Sequence, residues 1–299
     1  ICSAKRKRVH MVESLIALLP QGVLYSMVMA LLALGMMLPF RLLDVPDLTA
    51  EGSFPLGGAV MAYLLLHQVA LPFALAGAMG AGILAGLVTS GLYLKFRIPS
   101  LLAGIIVATM LYSVELRLLG VPNVALFEVG RGGLDTAMGL LQPTMMMIGV
   151  VLLVVLAMRL WLASEFGLRL RAVGSNQRVA ALQGVKSSDY VILGLVVGNA
   201  IVALAGGCQV VLQSYMDVGM GVGIIIHGLA ALLLGELIMR RTTLTRQLLA
   251  PIVGAILYQQ IYNMVLAAGC APSDMKLLMG GIVILLFALQ QLRKETKES

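Results

Sequence analysis

Long apolar runs, separated only by short charge-bearing interruptions, constrain this chain more than anything else in it. A bilayer core needs about 20 consecutive apolar residues per helix. Runs of that kind lie near residues 14–38, 55–71, 73–92, 100–118, 141–160, 190–213, 222–239, 247–267 and 275–289. Composition agrees: 60% of residues are hydrophobic and 12% charged, with a mean hydropathy of +0.99. A soluble domain averages about 45–50% apolar and about 25% charged. The expected fold is therefore an all-α polytopic transmembrane helix bundle of about nine spans. The second and seventh runs are short enough to be tilted, broken or re-entrant. Pro72 brings the second and third so close that they must form a tight hairpin.

The charges between the runs report topology. Arg41, Lys95, Arg97, Arg169, Arg171, Arg178, Lys186, Arg240, Arg241, Arg246, Arg293, Lys294 and Lys297 follow odd-numbered runs. The alternate loops hold only Arg117, Arg131 and Lys276. Positive residues favour the cytoplasmic side, which places the N-terminus outside and the C-terminus inside. Lys5, Arg6, Lys7 and Arg8 conflict with that orientation, while Met11 stands directly before the first run. Residues 1–10 are therefore expected to be a non-native or disordered extension; the alternative is that they are native and the span count is off by one. Residues 11–292 form a single membrane domain with a cytoplasmic loop at 163–189, and 293–299 form a cytoplasmic tail.

Several function classes find no support. No G-x-x-x-x-G-K-[ST] phosphate loop occurs, and neither do H-E-x-x-H or G-x-S-x-G. No catalytic residues, metal ligands or cofactors are expected. Cys2, Cys208 and Cys270 are scattered without metal or disulfide spacing. His227 has no second histidine or cysteine near it. The net charge of +7 lies between apolar spans, so it does not point to nucleic acid. Small residues at four-residue spacing, such as Gly82, Gly86 and Ser90, read as packing seams.

Three sets of polar residues stand out. Between the first two runs, residues 44–58 hold Asp44, Asp47 and Glu51 among Pro46, Gly52 and Pro55. Proline and glycine break helices, and backbone freed inside a membrane must be buried or line a cavity. Intramembrane carboxylates are costly and usually functional. A broken helix here places Asp47, Thr49, Glu51 and Ser53 near a translocation path; the competing reading is a solvated loop. In the second set, Ser175 or Asn176 caps a short helix at 177–183, and Gly184 ends it. That helix has Val179, Ala180 and Leu182 on its apolar side and Arg178 on its charged side, so it suits a lipid surface or a partner's groove equally. The third set comprises polar groups within spans, among them Asn199 and His227, either helix glue or path residues. Glu236 is expected to pair with Arg240, and Glu115 and Arg117 to form a similar interfacial anchor.

Three motifs carry a family resemblance. Residues 46–53, Pro-Asp-Leu-Thr-Ala-Glu-Gly-Ser, resemble, with one extra residue before the glycine, the I-D-L-S-x-G-S pattern of the permease subunits of bacterial ABC importers, in the branched-chain amino acid and ribose permease family. Arg97-Ile98-Pro99-Ser100-Leu101 is similar to that family's R-I-P-A-F. Gly167, Arg171, Ala172, Gly174, Asn176, Ala180, Ala181, Gly184 and Val185 match G-x-x-x-R-A-x-G-x-N-x-x-A-A-x-x-x-G-I. The resemblance covers nearly the whole chain. It departs at Leu234–Arg241, where the family often has a glycine-rich segment. That departure and the Asp-Leu-Thr-Ala-Glu-Gly-Ser-Phe form resemble a subgroup whose substrates include aromatic amino acids.

The resemblance implies a multi-pass protein of the bacterial cytoplasmic membrane that moves a small solute by alternating access. It also implies three partners: a separate ABC ATPase subunit, an extracytoplasmic substrate-binding protein, and a second permease copy as a homodimer. The 163–189 loop becomes a coupling loop, with Arg171, Gly174, Asn176, Arg178, Ala181, Leu182 and Gly184 at the ATPase. The protein itself is not expected to be an enzyme. The alternatives are an ion-coupled secondary transporter, a sugar- or nucleoside-specific permease of the same type, or a membrane subunit without transport.

Overall fold

The computed structural model describes residues 21–126, 141–239 and 243–267, with scattered positions from 274 to 288. Helices dominate: α1 (Gln21–Leu42), α2 (Ala50–Leu66), α3 (Leu71–Leu94), α4 (Ser100–Leu119), α5 (Leu141–Ala163), α6 (Glu165–Ser175), α7 (Gln177–Leu182), α8 (Ser187–Gln213), α9 (Ile224–Ile238) and α10 (Leu244–Ala267). Seven helical stretches among the described residues are long and apolar enough to cross a bilayer. Ala50–Leu66 is apolar but shorter, in keeping with its reading as a short second run. The 1–10 extension and the 293–299 tail lie outside the described residues, and the expected ninth span is described only in part.

The chain divides into two compact units, Leu31–Ile225 and the remainder. In the larger, α8 is the hub. Its face from Gly194 to Val210 is buried nearly without interruption, and α2 and α3 pack along it. Small residues permit this. A Cβ on Gly57 would collide with the Ala203 carbonyl, and one on Gly206 with the Phe54 carbonyl. In the smaller unit, Gly235 and Gly254 bring α9 and α10 together in the same way, against the carbonyls of Ala250 and Ala231. These are the close backbone approaches that membrane helices use where no hydrophobic gradient drives association.

The helix break is shorter than the expected 44–58. α1 ends in a π-helical turn, Leu38–Leu42, where Pro39 cannot donate to the preceding turn. The interruption is then confined to residues 43–49, and Ala50 begins α2 with Pro55 inside it. A two-stranded antiparallel ribbon, absent from the sequence reading, joins β1 (Asn123–Ala125) to β2 (Tyr215–Asp217), with Asn123 opposite Asp217. Met216 and Leu126 bury it against Ala59, Ala62 and Val210. The ribbon ties the C-terminal ends of α4 and α8 together. The basic loop precedes the N-terminal end of α8, so loop and ribbon lie at opposite ends of that helix.

Candidate functional site

The 43–49 interruption is pinned by a buried polar network. Asp47 Oδ1 accepts from the Thr49 backbone N–H at 2.9 Å, a local turn that starts α2. Asp47 Oδ2 accepts from Asn199 Nδ2 at 2.7 Å. The second Asn199 proton goes to the Leu195 carbonyl at 2.9 Å, and Asn199 Oδ1 accepts from Ser53 Oγ at 2.6 Å. The Thr49 hydroxyl lies 2.7 Å from that of Thr89, which bonds the Ala85 carbonyl at 3.1 Å. All five side chains are buried. Asp47, Thr49, Ser53 and Asn199 therefore spend their polar atoms on one another, clasping the interruption to α3 and α8. Thr89 was missed in the sequence, where one threonine in an apolar helix carries no signal.

The other two expected path residues stand apart. Glu51 is half-buried in the first turn of α2, and its Oε1 accepts from the Gly223 N–H at 3.2 Å. His227 belongs to the smaller unit, where its Nδ1 lies 2.6 Å from Tyr258 Oη and the two rings meet edge to face.

Glu51 opens on a cavity of about 250 Å³ between α2, α4 and the turn at residues 218–222. A Cβ on Gly52 would stand 2.7 Å from the Ala108 Cα, so the missing side chain sets the spacing of α2 and α4. The opposite wall comes from α4. Ala108, Tyr112 and Glu115 recur at helical spacing along it, with Thr109 beside them. Glu115 is 1% exposed, and among the described residues neither carboxylate oxygen has a hydrogen-bond partner. The expected Glu115–Arg117 anchor does not form, because residues two apart point to different sides of a helix. The expected partner of Glu236, Arg240, lies outside the described residues.

The basic loop folds as two helices. Ser175 ends α6, and Asn176 is the cap: its Oδ1 accepts from the backbone N–H groups of Arg178 at 3.0 Å and Val179 at 3.1 Å. Gly184 follows α7 with φ +79°, the left-handed conformation that ends a helix. Ala180 turns inward, while Arg178, Val179, Ala181 and Leu182 are exposed, Leu182 to 88%. Arg171 and Gly174 face inward instead. The Arg171 guanidinium donates to the carbonyls of Leu162 and Gly167, both at 3.2 Å, and so stitches α6 to the end of α5. A Cβ on Gly174 would collide with the Leu42 carbonyl, which docks α6 on the last turn of α1.

Comparison with known proteins places this architecture. The family described as branched-chain amino acid transport system / permease component matches residues 18–288. A tyrosine transport system permease protein of Clostridioides difficile is 30% identical over 274 residues, covering 92% of each chain. The galactofuranose transporter permease protein YtfT of Escherichia coli is 26% identical, over 88% of this chain and 76% of that one. A solved metal-chelate type ABC transporter in an inward-facing conformation shares the fold, with a TM-score of 0.52 at 17% identity over 92% of this chain and 85% of that one. The chain is a multi-pass membrane protein and belongs to the branched-chain amino acid transport system permease family of ABC transporters.

Proposed function

We propose that this permease is the membrane subunit of an importer that moves an amino acid inward, driven by a separate ATPase. Its α6–α7 loop faces the cytoplasm, and the ribbon end faces outward. Two copies pair, and a binding protein delivers the solute to their outer face. The observation that carries the reading is α7 itself. A capped, glycine-terminated helix holds Leu182 and Val179 out of the fold, beside Arg178. A large apolar side chain held 88% exposed on a charged loop fits the groove of a partner protein.

ATP binding closes the ATPases, and α7 moves with them. Access can switch only if α7 binds the closed and open ATPases with different affinity. Gly174 and Arg171 transmit the movement, since they fix α6 to the ends of α1 and α5. The tyrosine permease relative and the form of residues 46–54 favour an amino acid over a sugar.

Co-purification of the permease with its ATPase, comparing wild type with Leu182→Asp and Arg178→Glu, tests this. Both residues are exposed, so both variants are expected to fold and to lose the ATPase. Arg171 is unsuited to charge reversal, because its bonds to two carbonyls hold the loop together. An ATPase retained by Leu182→Asp removes α7 as the docking element. Solute uptake that survives ATP depletion overturns the importer reading.

A further inference from the structure

Glu115 is an anomaly within unit Leu31–Ile225. Its carboxyl group is removed from water, with no hydrogen-bond partner on either oxygen among the described residues. A buried carboxyl group without a hydrogen-bond partner is costly to a fold, whether it is charged or held neutral. The Asp47 network shows how this chain treats a buried carboxylate it uses for structure: both oxygens are bonded. Glu115 instead lines a cavity, with its side chain one face-repeat beyond Tyr112. A second carboxylate, Glu51, lines the same cavity. Its Oε1 is held by Gly223 at 3.2 Å, which leaves Oε2 and further lone pairs for another donor.

The third oxygen is that of Thr109. Its hydroxyl proton is committed to the Ile106 carbonyl at 2.8 Å, so toward the cavity it can only accept. Among the described residues the cavity wall therefore carries two carboxyl groups and the Thr109 hydroxyl, with the Tyr112 hydroxyl as its side-chain donor. Its remaining wall is apolar, including Pro55 and Val222. A divalent metal does not suit this set: calcium takes about 6–8 oxygen ligands and magnesium about six in a strict octahedron. A sugar hydroxyl donates hydrogen bonds but brings no positive charge to hold Glu115 ionised. A primary ammonium group carries one positive charge and three N–H donors, which matches both the count and the sign.

We propose that the cavity between α2, α4 and the 218–222 turn binds a primary ammonium group, that of the transported solute, on Glu115, Glu51 and Thr109. This rests on the amino acid importer reading and deepens it. The cavity adjoins the turn that follows β2, at the ribbon end of α8, the end from which that reading has the solute arrive. An amino acid would seat its ammonium here first. The same chemistry is offered by a phosphatidylethanolamine headgroup, so the test separates the two sources.

The test uses the full chain in phosphatidylcholine nanodiscs, whose headgroups carry no primary amine. Thermal unfolding is followed with millimolar tyramine, with 3-(4-hydroxyphenyl)propanoate, which lacks the amine, or with galactose. Tyramine is expected to raise the Tm, and the other two to leave it unchanged. Glu115→Gln is expected to weaken the tyramine response on the order of 30-fold or more, as loss of one partner of a buried charge pair does. Glu51→Gln, at the half-buried carboxylate, is expected to weaken it less. Without ligand, Glu115→Gln should unfold at or above the wild-type temperature, since it replaces an unpartnered carboxyl by a neutral group of the same shape, so misfolding does not confuse the result. A wild-type protein indifferent to tyramine, a Glu115→Gln protein that responds like wild type, or an equal response to the propanoate or galactose overturns the proposal. A Tm raised by phosphatidylethanolamine nanodiscs alone, with the tyramine shift gone, overturns the assignment to a transported solute. ATPase co-purification reads out separately: bound ATPase with no tyramine response sinks the cavity site and leaves the importer standing.

Discussion

Two residue-scale facts give Asp47 and Glu115 opposite characters. Asp47 receives a backbone N–H and the Asn199 amide, whereas Glu115 receives nothing from the described residues. Asn199 is the most connected side chain of the buried network, touching Asp47, Ser53 and Leu195. Asn199→Ala strands one carboxylate oxygen and one hydroxyl in the bundle core. Each buried group left unsatisfied costs about 1–3 kcal/mol, while hydrogen bonds in membrane proteins average about 0.6 kcal/mol because the unfolded state also finds partners. The expected loss for Asn199→Ala is therefore about 1–3 kcal/mol. Denaturant unfolding in detergent micelles measures it, and a variant as stable as wild type would show that the network does not hold the interruption.

At the scale of elements, α7 is the most exposed helix among the described residues, and a single side chain caps it. Six residues make fewer than two turns, and helices that short do not persist alone in water. The Asn176 cap satisfies two of the first backbone N–H groups. Replacing such a cap by alanine costs about 1 kcal/mol, and a tenfold change in affinity corresponds to about 1.4 kcal/mol. If α7 must be helical to dock, Asn176→Ala should weaken ATPase binding by about fivefold, and Asn176→Asp, which also caps, should restore it. Titration of ATPase onto nanodisc-held permease checks both, and equal affinities for the three proteins would exclude the cap. The i,i+4 pair of Glu165 and Arg169 on α6, 3.4 Å apart and solvent-exposed, contributes little by comparison.

At the scale of the molecule, orientation rests on the positive-inside rule applied to the described loops. The rule places Leu182 in the cytoplasm and Val121, between α4 and the ribbon, outside. Both residues are exposed. In a background without the three native cysteines, a membrane-impermeant maleimide is expected to label Val121→Cys in intact cells and Leu182→Cys only after the membrane is opened. The reverse pattern inverts the topology and with it the side from which the cavity of Glu115 is reached.

Local features of the sequence carried a large share of this. Span positions were legible because bilayer thickness and apolar run length act over about 20 neighbouring residues. The Asn176 cap and the Gly184 terminus were legible because capping is settled within one turn of chain. The interruption near Pro46 was legible for the same reason, although its extent was not: Pro55 is tolerated inside α2, where Gly221 lies close against the Glu51 carbonyl that the proline leaves without its helical donor. What the sequence could not decide was which polar groups pair. Asp47 and Asn199 are 152 positions apart, and Arg171 reads as a surface charge until α5 ends beside it. Glu115 reads as half of an anchor pair until α2 closes over its face of α4. Membrane helices are specified locally by hydropathy, but a buried polar atom is satisfied or orphaned by whatever side chain the packing of distant helices brings within about 3 Å of it.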